Sequence, residues 1–274
     1  MMKQILITGS NGFIANSLSK KINNYNLTLT NRLNLNLLHQ EQVNNFFKNK
    51  HFDTIIHTAV SGGKRIQEDN KAWIYENLLM MNNLMANHKS FDKIISFGSG
   101  AELDRNKNID EFSKLSNSFP TDPYGLSKNI IAKLYLNENK FYNIRIFNVF
   151  DYDELDTRMI KSSLLNYLNK KPIIIHQNKL MDFFYMEDLH TIISYIIEND
   201  NFPRQINCSY KNKLSLLDIA EFINNLENYK VDIIIENEAM ANSYYGKYNI
   251  PSNINLIGCK SGIKNIYKIL KEIK

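Results

Sequence analysis

The stretch "QILITGSNGFIAN", residues 4–16, decides the fold. An apolar, β-branched run leads into a turn with Gly9 and Gly12, and a segment with helical spacing follows. A strand, a glycine turn and a helix start in this order are the setting of a dinucleotide-binding turn. There the first glycine permits the tight turn, and the second lets the backbone approach a pyrophosphate at the helix N-terminus. Ala15 replaces the usual third glycine and adds one methyl group. Taken alone, the stretch also fits an ordinary βα turn.

Strand and helix patterns alternate along the first 150 residues. The predicted strands are 4–8, 27–30, 53–59, 93–99 and 143–150, and the predicted helices are 11–22, 39–50, 67–89 and 123–139. Strands separated by helices imply right-handed crossovers and a mostly parallel sheet. We therefore predict an α/β fold, a doubly wound parallel sheet of the Rossmann type, with ligands at the carboxyl ends of the strands.

The alternation of strands and helices is less regular beyond residue 150, where we predict a smaller C-terminal substrate lobe. The predicted helices here are 157–170, 187–199, 214–226 and 263–274, with a strand at 172–176. The predicted domains are a dinucleotide-binding domain at 1–150, to which 177–200 returns, and a substrate-binding lobe formed by 151–176 and 201–274.

Composition excludes several classes of function. The net charge is +5, but the lysines come singly or in pairs, which favours a solvated surface over a nucleic-acid partner. The two cysteines have no CxxC spacing and no neighbouring histidine cluster, so we expect neither a metal site nor a disulfide framework. The N-terminal apolar run is too short for a signal peptide, and no segment is long enough to span a bilayer. We therefore expect a cytoplasmic protein without a membrane partner.

Two further stretches contain side chains that can take part in proton transfer. "DPYGLSK" places Tyr124 and Lys128 four residues apart, on one face of a helix that Pro123 would start. A phenol with a pKa of about 10 is a poor acid or base at neutral pH, and a neighbouring cation favours the phenolate. "ISFGSGAEL" ends a strand at Ser99, at the carboxyl edge of the sheet. Each feature alone is ordinary, but the chance occurrence of both together with the glycine turn is improbable.

Five motifs resemble those of the extended short-chain dehydrogenase/reductase family, which contains nucleotide-sugar epimerases, dehydratases and reductases. "TGSNGFIA" resembles TGxxGFIG, "DTIIHTAV" resembles DxVIHxAA, and "YENLLMMNNLM" matches a helix with an active-site Asn. "RIFNVFD" resembles RxxNVYG, and "MDFFYMEDLH" resembles RDFIYVDDLA. Residues 33–47 and "AVSGGKR" (59–65) are similar to GDP-fucose synthases among the members.

The resemblance implies roles for individual residues. Tyr124 would act as acid/base on the sugar oxygen, and Lys128 would lower its pKa and hold the nicotinamide ribose. Ser99 would bond the same sugar oxygen, and Asn77 would support the site. The expected cofactor contacts are Gly9, Asn11, Gly12, Phe13, Ile14, His57, Thr58, Ala59, Tyr124 and Lys128. The expected substrate contacts are Ser99, Gly100 and Asn148.

Departures from the family's motifs narrow the choice among the family's reactions. Dehydratases carry Asp and Glu directly after the serine, where this chain has Gly100 and Ala101, and Glu102 stands one position too late. GDP-fucose synthases carry a cysteine where Ala101 stands, so a 3,5-epimerisation is also disfavoured. Reduction of a 4-keto sugar and 4-epimerisation remain, and the shortness of the chain favours the reductase.

The cofactor and the nucleotide contacts follow from further departures. No Asp or Glu follows the second strand to hold a ribose 2′-hydroxyl, and Arg32 is placed to pair with a 2′-phosphate, which favours NADPH over NADH. Met181 replaces the arginine that meets a nucleotide phosphate in the family, and Lys179 is the candidate substitute.

We therefore predict NAD(P)H-dependent reduction of a 4-keto (or 4-keto-6-deoxy) sugar in a nucleotide-diphosphate sugar, serving the synthesis of surface-polysaccharide sugars. A nucleotide-sugar 4-epimerase is the alternative. A non-catalytic dinucleotide-binding regulator is the alternative from another class, although it would not need Ser99, Tyr124 and Lys128 together. The resemblance also implies a homodimer, formed through the helices predicted at 67–89 and 123–139.

Overall fold

The computed structural model describes residues 2–63 and 68–273. Its strands are β1 (Gln4–Thr8), β2 (Asn26–Thr30), β3 (Phe52–His57), β4 (Phe91–Ser99), β5 (Phe141–Ile146), β6 (Val149–Phe150), β7 (Ile173–Gln177), β8 (Phe184–Tyr185), β9 (Gln205–Cys208) and β10 (Ile233–Asn237). Its α-helices are α1 (Phe13–Lys21), α2 (Gln40–Phe47), α3 (Ala72–Met85), α4 (Pro123–Tyr135), α5 (Met159–Leu168), α6 (Met186–Glu198), α7 (Leu216–Asn224) and α8 (Cys259–Ile273).

The main sheet has six strands in the order β2-β1-β3-β4-β5-β9. β1 pairs in parallel with both β2 and β3, and β3 pairs in parallel with β4. Ile5, Leu6 and Ile7 of β1 are all fully buried, as expected for a strand whose two faces are both covered. The predicted doubly wound α/β fold is confirmed.

The strands end together at the edge where the predicted site lies. Thr8, the last residue of β1, stands opposite Thr30 of β2 and His57 of β3. β4 ends at Ser99, also at a carboxyl end. Groups that follow these strands therefore share one edge of the sheet.

The largest differences between predicted and observed elements concern one helix and one strand. The helix predicted at 67–89 is α3, which spans Ala72–Met85 and is followed by a 3₁₀ turn. The strand predicted at 143–150 divides into β5 and β6, because Val149 and Phe150 pair with β8 rather than continuing the main sheet. The Phe184 N–H donates to the Asn148 carbonyl oxygen at 2.9 Å, which places the division at that residue.

The chain forms two compact units, each with its own apolar core. The first contains 1–105, 113–145 and 192–206, and the second contains 106–112, 146–191 and 207–274. The first unit thus includes 192–206, which overlaps the returning segment predicted at 177–200, and the second unit also includes 106–112. The core of the first unit lies around Leu6, Ile55 and Ile94. The core of the second unit is built largely from α5, α7 and α8.

Local side chains stabilise two helix starts. α4 begins at Pro123, and Asp122 caps it by accepting a hydrogen bond from the Gly125 N–H at 2.8 Å. Ser215 and Asp218 form a reciprocal capping box at the start of α7. Within the part of the chain that the structure describes, no helix has both the length and the apolar character needed to cross a bilayer.

Candidate active site

The glycine turn after β1 is tightly constrained. Gly9 has a φ of +66°, and a Cβ on it would lie 2.7 Å from the Cα and the N of Ala59. The residue must therefore be glycine for two reasons, the left-handed backbone and the approach of the loop after β3. The Gly12 N–H donates to the Gly9 carbonyl at 2.9 Å and closes the turn.

The start of α1 fits an anionic group. Gly12 is its N-cap and contributes no side-chain cap, and the first turn contains no acidic residue. The first backbone N–H groups of a helix carry a partial positive charge and bind phosphate. Asn11 is exposed, and Phe13 and Ile14 are partly exposed, so the turn is open to a ligand. The buried Ala15 occupies the position of the third glycine.

His57 supports the turn from the end of β3. Its Nδ1 lies 2.9 Å from the Thr8 Oγ1, and the Thr58 hydroxyl donates to the Thr8 carbonyl at 2.6 Å. Burial and the neighbouring charge of Lys128 lower the pKa of His57 to about 3, so the imidazole is neutral at physiological pH. These bonds hold the ends of β1 and β3 together and thereby keep Ala59 against Gly9.

Arg32 follows the end of β2, on the exposed side of the turn. The Ser10 N–H donates to the Thr30 carbonyl at 2.9 Å, which joins the glycine turn to β2. Arg32 comes two residues later, in a turn where the Asn31 side chain accepts from the Leu33 N–H at 2.9 Å. The structure thus places an exposed guanidinium-bearing residue directly after the strand that neighbours the glycine turn.

Tyr124 and Lys128 lie in the first two turns of α4. The Lys128 Nζ is 5.9 Å from the centre of the Tyr124 ring and donates to the Phe97 carbonyl at 2.8 Å. A Cβ on Gly125 would lie 2.7 Å from the Ala101 carbonyl oxygen. This glycine therefore lets α4 pack closely against the residues that follow Ser99.

Burial dominates the pKa values of this pair. The pKa of Tyr124 is raised above its ordinary value, chiefly by burial, while a hydrogen bond with Ser99 and the charge of Arg105 act to lower it. The pKa of Lys128 is lowered to about 8, again chiefly by burial. The lowering of the Tyr124 pKa expected from Lys128 is not observed, because burial removes the phenolate from water and raises the pKa instead.

Ser99 is held by the turn that follows it. Its Oγ accepts a hydrogen bond from the Ala101 N–H at 3.2 Å, and its own N–H donates to Glu102. Gly100 and Ala101 are buried in this 3₁₀ turn. With its oxygen lone pair engaged, the hydroxyl proton remains for Tyr124 or a substrate oxygen.

Asn77 joins the loop after β3 to α4. Its Oδ1 accepts from the Ser61 N–H at 2.8 Å, and its Nδ2 donates to the Ser127 Oγ at 3.0 Å. The same loop contains Gly63, with a φ of +84°, on which a Cβ would lie 2.9 Å from the Tyr124 ring. Asn77 thus supports the residues around Tyr124. Sequence reasoning missed Gly63; Lys64 and Arg65, part of the motif quoted for GDP-fucose synthases, lie outside the described residues.

The two remaining predicted contacts belong to the second unit. The Asn148 Nδ2 donates to the Asp182 carbonyl at 3.1 Å, and its Oδ1 accepts from Arg158 at 3.4 Å. Lys179 is partly exposed, and its carbonyl accepts from the Leu216 N–H at 3.1 Å. Met181, which stands in the place of the family's arginine, is buried in the core of this unit.

The glycine turn, Ser99, Tyr124 and Lys128 all lie in the first unit, whose parallel sheet is of the dinucleotide-binding type. The sequence model of the NAD dependent epimerase/dehydratase family matches residues 5–209. The chain belongs to this family, which confirms the resemblance and the predicted class of NAD(P)-dependent oxidoreductase.

Three similar proteins, one compared by sequence and two by structure, have named activities. The chain is 24% identical over 282 residues to ADP-L-glycero-D-manno-heptose-6-epimerase of Brachyspira hyodysenteriae, covering 89% of this chain and 86% of that protein. Its fold matches GDP-mannoheptose C4 reductase from Campylobacter jejuni with NADP bound, with a TM-score of 0.76, 21% identity and 98% of both chains covered. It also matches a dTDP-4-dehydrorhamnose reductase from Clostridium acetobutylicum, with a TM-score of 0.75, 19% identity and coverage of 98% of this chain and 99% of the other.

Proposed function

We propose that this protein reduces the 4-keto group of a nucleotide-diphosphate sugar with NADPH. The observation that carries the proposal is the assembly of Ser99, Tyr124 and Lys128 in the unit that holds the glycine turn. Two of the structural neighbours are named as nucleotide-sugar reductases, and one of them was solved with NADP bound. A regulator that only senses the dinucleotide would need the turn but not these three groups.

Bound NADPH would supply the hydride that reaches the carbonyl carbon. Tyr124 gives its proton to the carbonyl oxygen, so that the ketone becomes an alcohol. Because burial raises the pKa of Tyr124, the phenol is protonated at neutral pH, which is the form that a reduction consumes. Ser99 donates to the same oxygen, and Lys128 holds the nicotinamide ribose.

Two features disfavour elimination at this site. Gly100 and Ala101 have no proton-transfer group at the positions used by the dehydratases. Glu102, the nearest carboxylate in the sequence, is fully buried and forms an ion pair with Arg145, with a Nη2–Oε2 distance of 2.9 Å. Its carboxylate is therefore closed off from solvent and engaged with Arg145.

NADPH is the preferred cofactor in this proposal. No acid follows β2 to repel a 2′-phosphate, and the exposed Arg32 stands directly after that strand. A guanidinium pairs with a phosphate through two parallel hydrogen bonds. NADH remains the alternative and is included in the test.

The test is a panel of 4-keto sugars carried by GDP, CDP, dTDP and UDP, each assayed with NADPH and with NADH. We expect NADPH oxidation with at least one 4-keto sugar nucleotide, and a product altered at C4 alone. A net redox-neutral inversion at C4 of an unoxidised sugar would identify the 4-epimerase instead. Inversion at C3 or C5 would contradict the argument from Ala101.

We also propose a role in polysaccharide synthesis, a cytoplasmic location, a substrate lobe formed by the second unit, and a homodimer.

Tyr75 of α3 and Leu134 of α4 support the homodimer, because their side chains are large and apolar and the residues are 67% and 59% exposed. Sedimentation of Leu134→Glu should then give the monomer mass. The matched variant Leu33→Glu, at a residue that is 93% exposed, should leave the dimer intact.

A further inference from the structure

Glu102 is a charged residue that the proposed reaction does not use. It lies in the 3₁₀ turn Gly100–Leu103, which directly follows Ser99, and its side chain is 0% exposed. A fully buried carboxylate is costly unless its oxygens are paired. Its partners are therefore informative about what it does.

Each oxygen of the Glu102 carboxylate has its own partner. The Oε1 accepts from the Ser99 N–H at 2.9 Å. The Oε2 accepts from the Arg145 Nε at 3.0 Å and from the Asn143 Nδ2 at 3.1 Å, and the Arg145 Nη2 lies 2.9 Å away. The carboxylate thus bridges the backbone of Ser99 and two side chains of β5.

The surrounding backbone is adapted to this carboxylate. Asn143 and Arg145 are two residues apart, so they project from the same face of β5. Gly98 provides the space, since a Cβ there would collide with the Glu102 Oε1 and lie 2.5 Å from the Asn143 Oδ1. From α4, the Asn129 Nδ2 donates to the Glu102 carbonyl at 2.8 Å.

We infer that Glu102 is a positioning residue for Ser99, and that Arg145 and Asn143 act by holding its carboxylate. The inference rests on the proposed role of Ser99 at the substrate carbonyl. Glu102 fixes the N–H of Ser99, while the Ala101 N–H engages its Oγ. The Ala101 N–H occupies one lone pair of the Oγ, so the hydroxyl can donate its proton to Tyr124 or to the substrate oxygen.

The principal test is Glu102→Gln, which preserves volume but brings an amide donor into a pocket already filled with donors. We expect kcat for the keto sugar to fall about 10- to 100-fold, because small displacements of an aligned group cost that much. The dissociation constant for NADPH should stay within about twofold, since the glycine turn is untouched. The matched control is Glu198→Gln, which removes an exposed ion pair with Lys3 in the same unit and should leave kcat unchanged.

A double-mutant cycle separates positioning from a general structural role. If Glu102 acts through the Ser99 hydroxyl, Glu102→Gln should lower kcat less than about twofold further in a Ser99→Ala background. Losses that multiply in full would overturn the inference, and so would a wild-type kcat in Glu102→Gln. Glu102→Asp, which keeps the charge but has a shorter reach, should recover part of the loss.

Because Glu102→Gln removes the carboxylate that pairs with the buried Arg145, a second variant removes both charges. Glu102→Gln with Arg145→Met removes the carboxylate together with the guanidinium that pairs with it and should fold, with kcat still lowered about 10- to 100-fold. A stable double variant with wild-type kcat would overturn the inference.

A substrate-free measurement distinguishes this inference from the proposed function. Amide hydrogen exchange at Ser99 should be at least about tenfold faster in the charge-free double variant than in the wild type, and unchanged in Glu198→Gln. An unchanged rate at Ser99 overturns the inference even if the sugar panel succeeds. A faster rate supports the contact even if no panel sugar is reduced, an outcome that would refute the proposed function alone.

Discussion

Gly9→Ala should damage both the stability of the first unit and its affinity for the dinucleotide. The substitution meets two obstacles that can be separated: a φ of +66°, and a new Cβ at 2.7 Å from two backbone atoms of Ala59. The left-handed backbone costs about 1–2 kcal/mol for a residue with a Cβ. Forcing the Ala59 backbone away adds about 1–3 kcal/mol, as overpacking usually does. Together these costs lower the free energy of unfolding by about 2–5 kcal/mol.

The chain provides a matched control in Gly258. That residue has a φ of +90°, but a Cβ on it would have no atom within 4 Å. Gly258→Ala should therefore show only the backbone cost, about 1–2 kcal/mol. Urea unfolding of both variants, followed by NADPH titration of each, checks the prediction. If Gly9→Ala destabilises no more than Gly258→Ala, or binds NADPH as the wild type does, the close approach of the turn to Ala59 is refuted.

Three further predictions concern the site. Tyr124→Phe should lower kcat about 10²- to 10⁴-fold with an unchanged dissociation constant for NADPH, measured by fluorescence titration, because only the proton donor is lost. The pKa of Lys128 is about 8, so the KM for NADPH should rise as the pH passes about 8 and Lys128 loses its proton; Lys128→Met should have a high KM at every pH. Arg32→Ala should raise the KM for NADPH about tenfold and leave that for NADH unchanged, since a hydrogen bond to a charged group contributes about 1.5–3 kcal/mol. Equal effects on both cofactors would contradict the assignment of Arg32 to the 2′-phosphate.

Patterns with a local physical cause were predictable from the sequence. The alternation of strands and helices, the glycine turn and the helix start at Pro123 depend on residues within a few positions of each other. Tyr124 and Lys128 are four residues apart in one helix, so their position on the same helix face was predictable as well. Element ends were less predictable, and the strand expected at 143–150 divides because Val149 pairs with a strand more than thirty residues later.

What the sequence by itself determined is the class of the protein: a parallel α/β fold, a glycine turn at Gly9 of the dinucleotide-binding type, and the spacing of Tyr124 and Lys128 on one helix. The tertiary structure alone determined the direction of the Tyr124 pKa shift and the contacts that hold Ser99. Burial, rather than the neighbouring Lys128, determines the direction of the Tyr124 pKa shift. In the sequence, Glu102 stands one position after the carboxylates of the dehydratases. In the structure its carboxylate is buried, pairs with Arg145 of β5 and accepts a hydrogen bond from the Ser99 N–H. The reason is that desolvation and ion pairing depend on which distant segments pack together, and residue spacing along the chain does not record that.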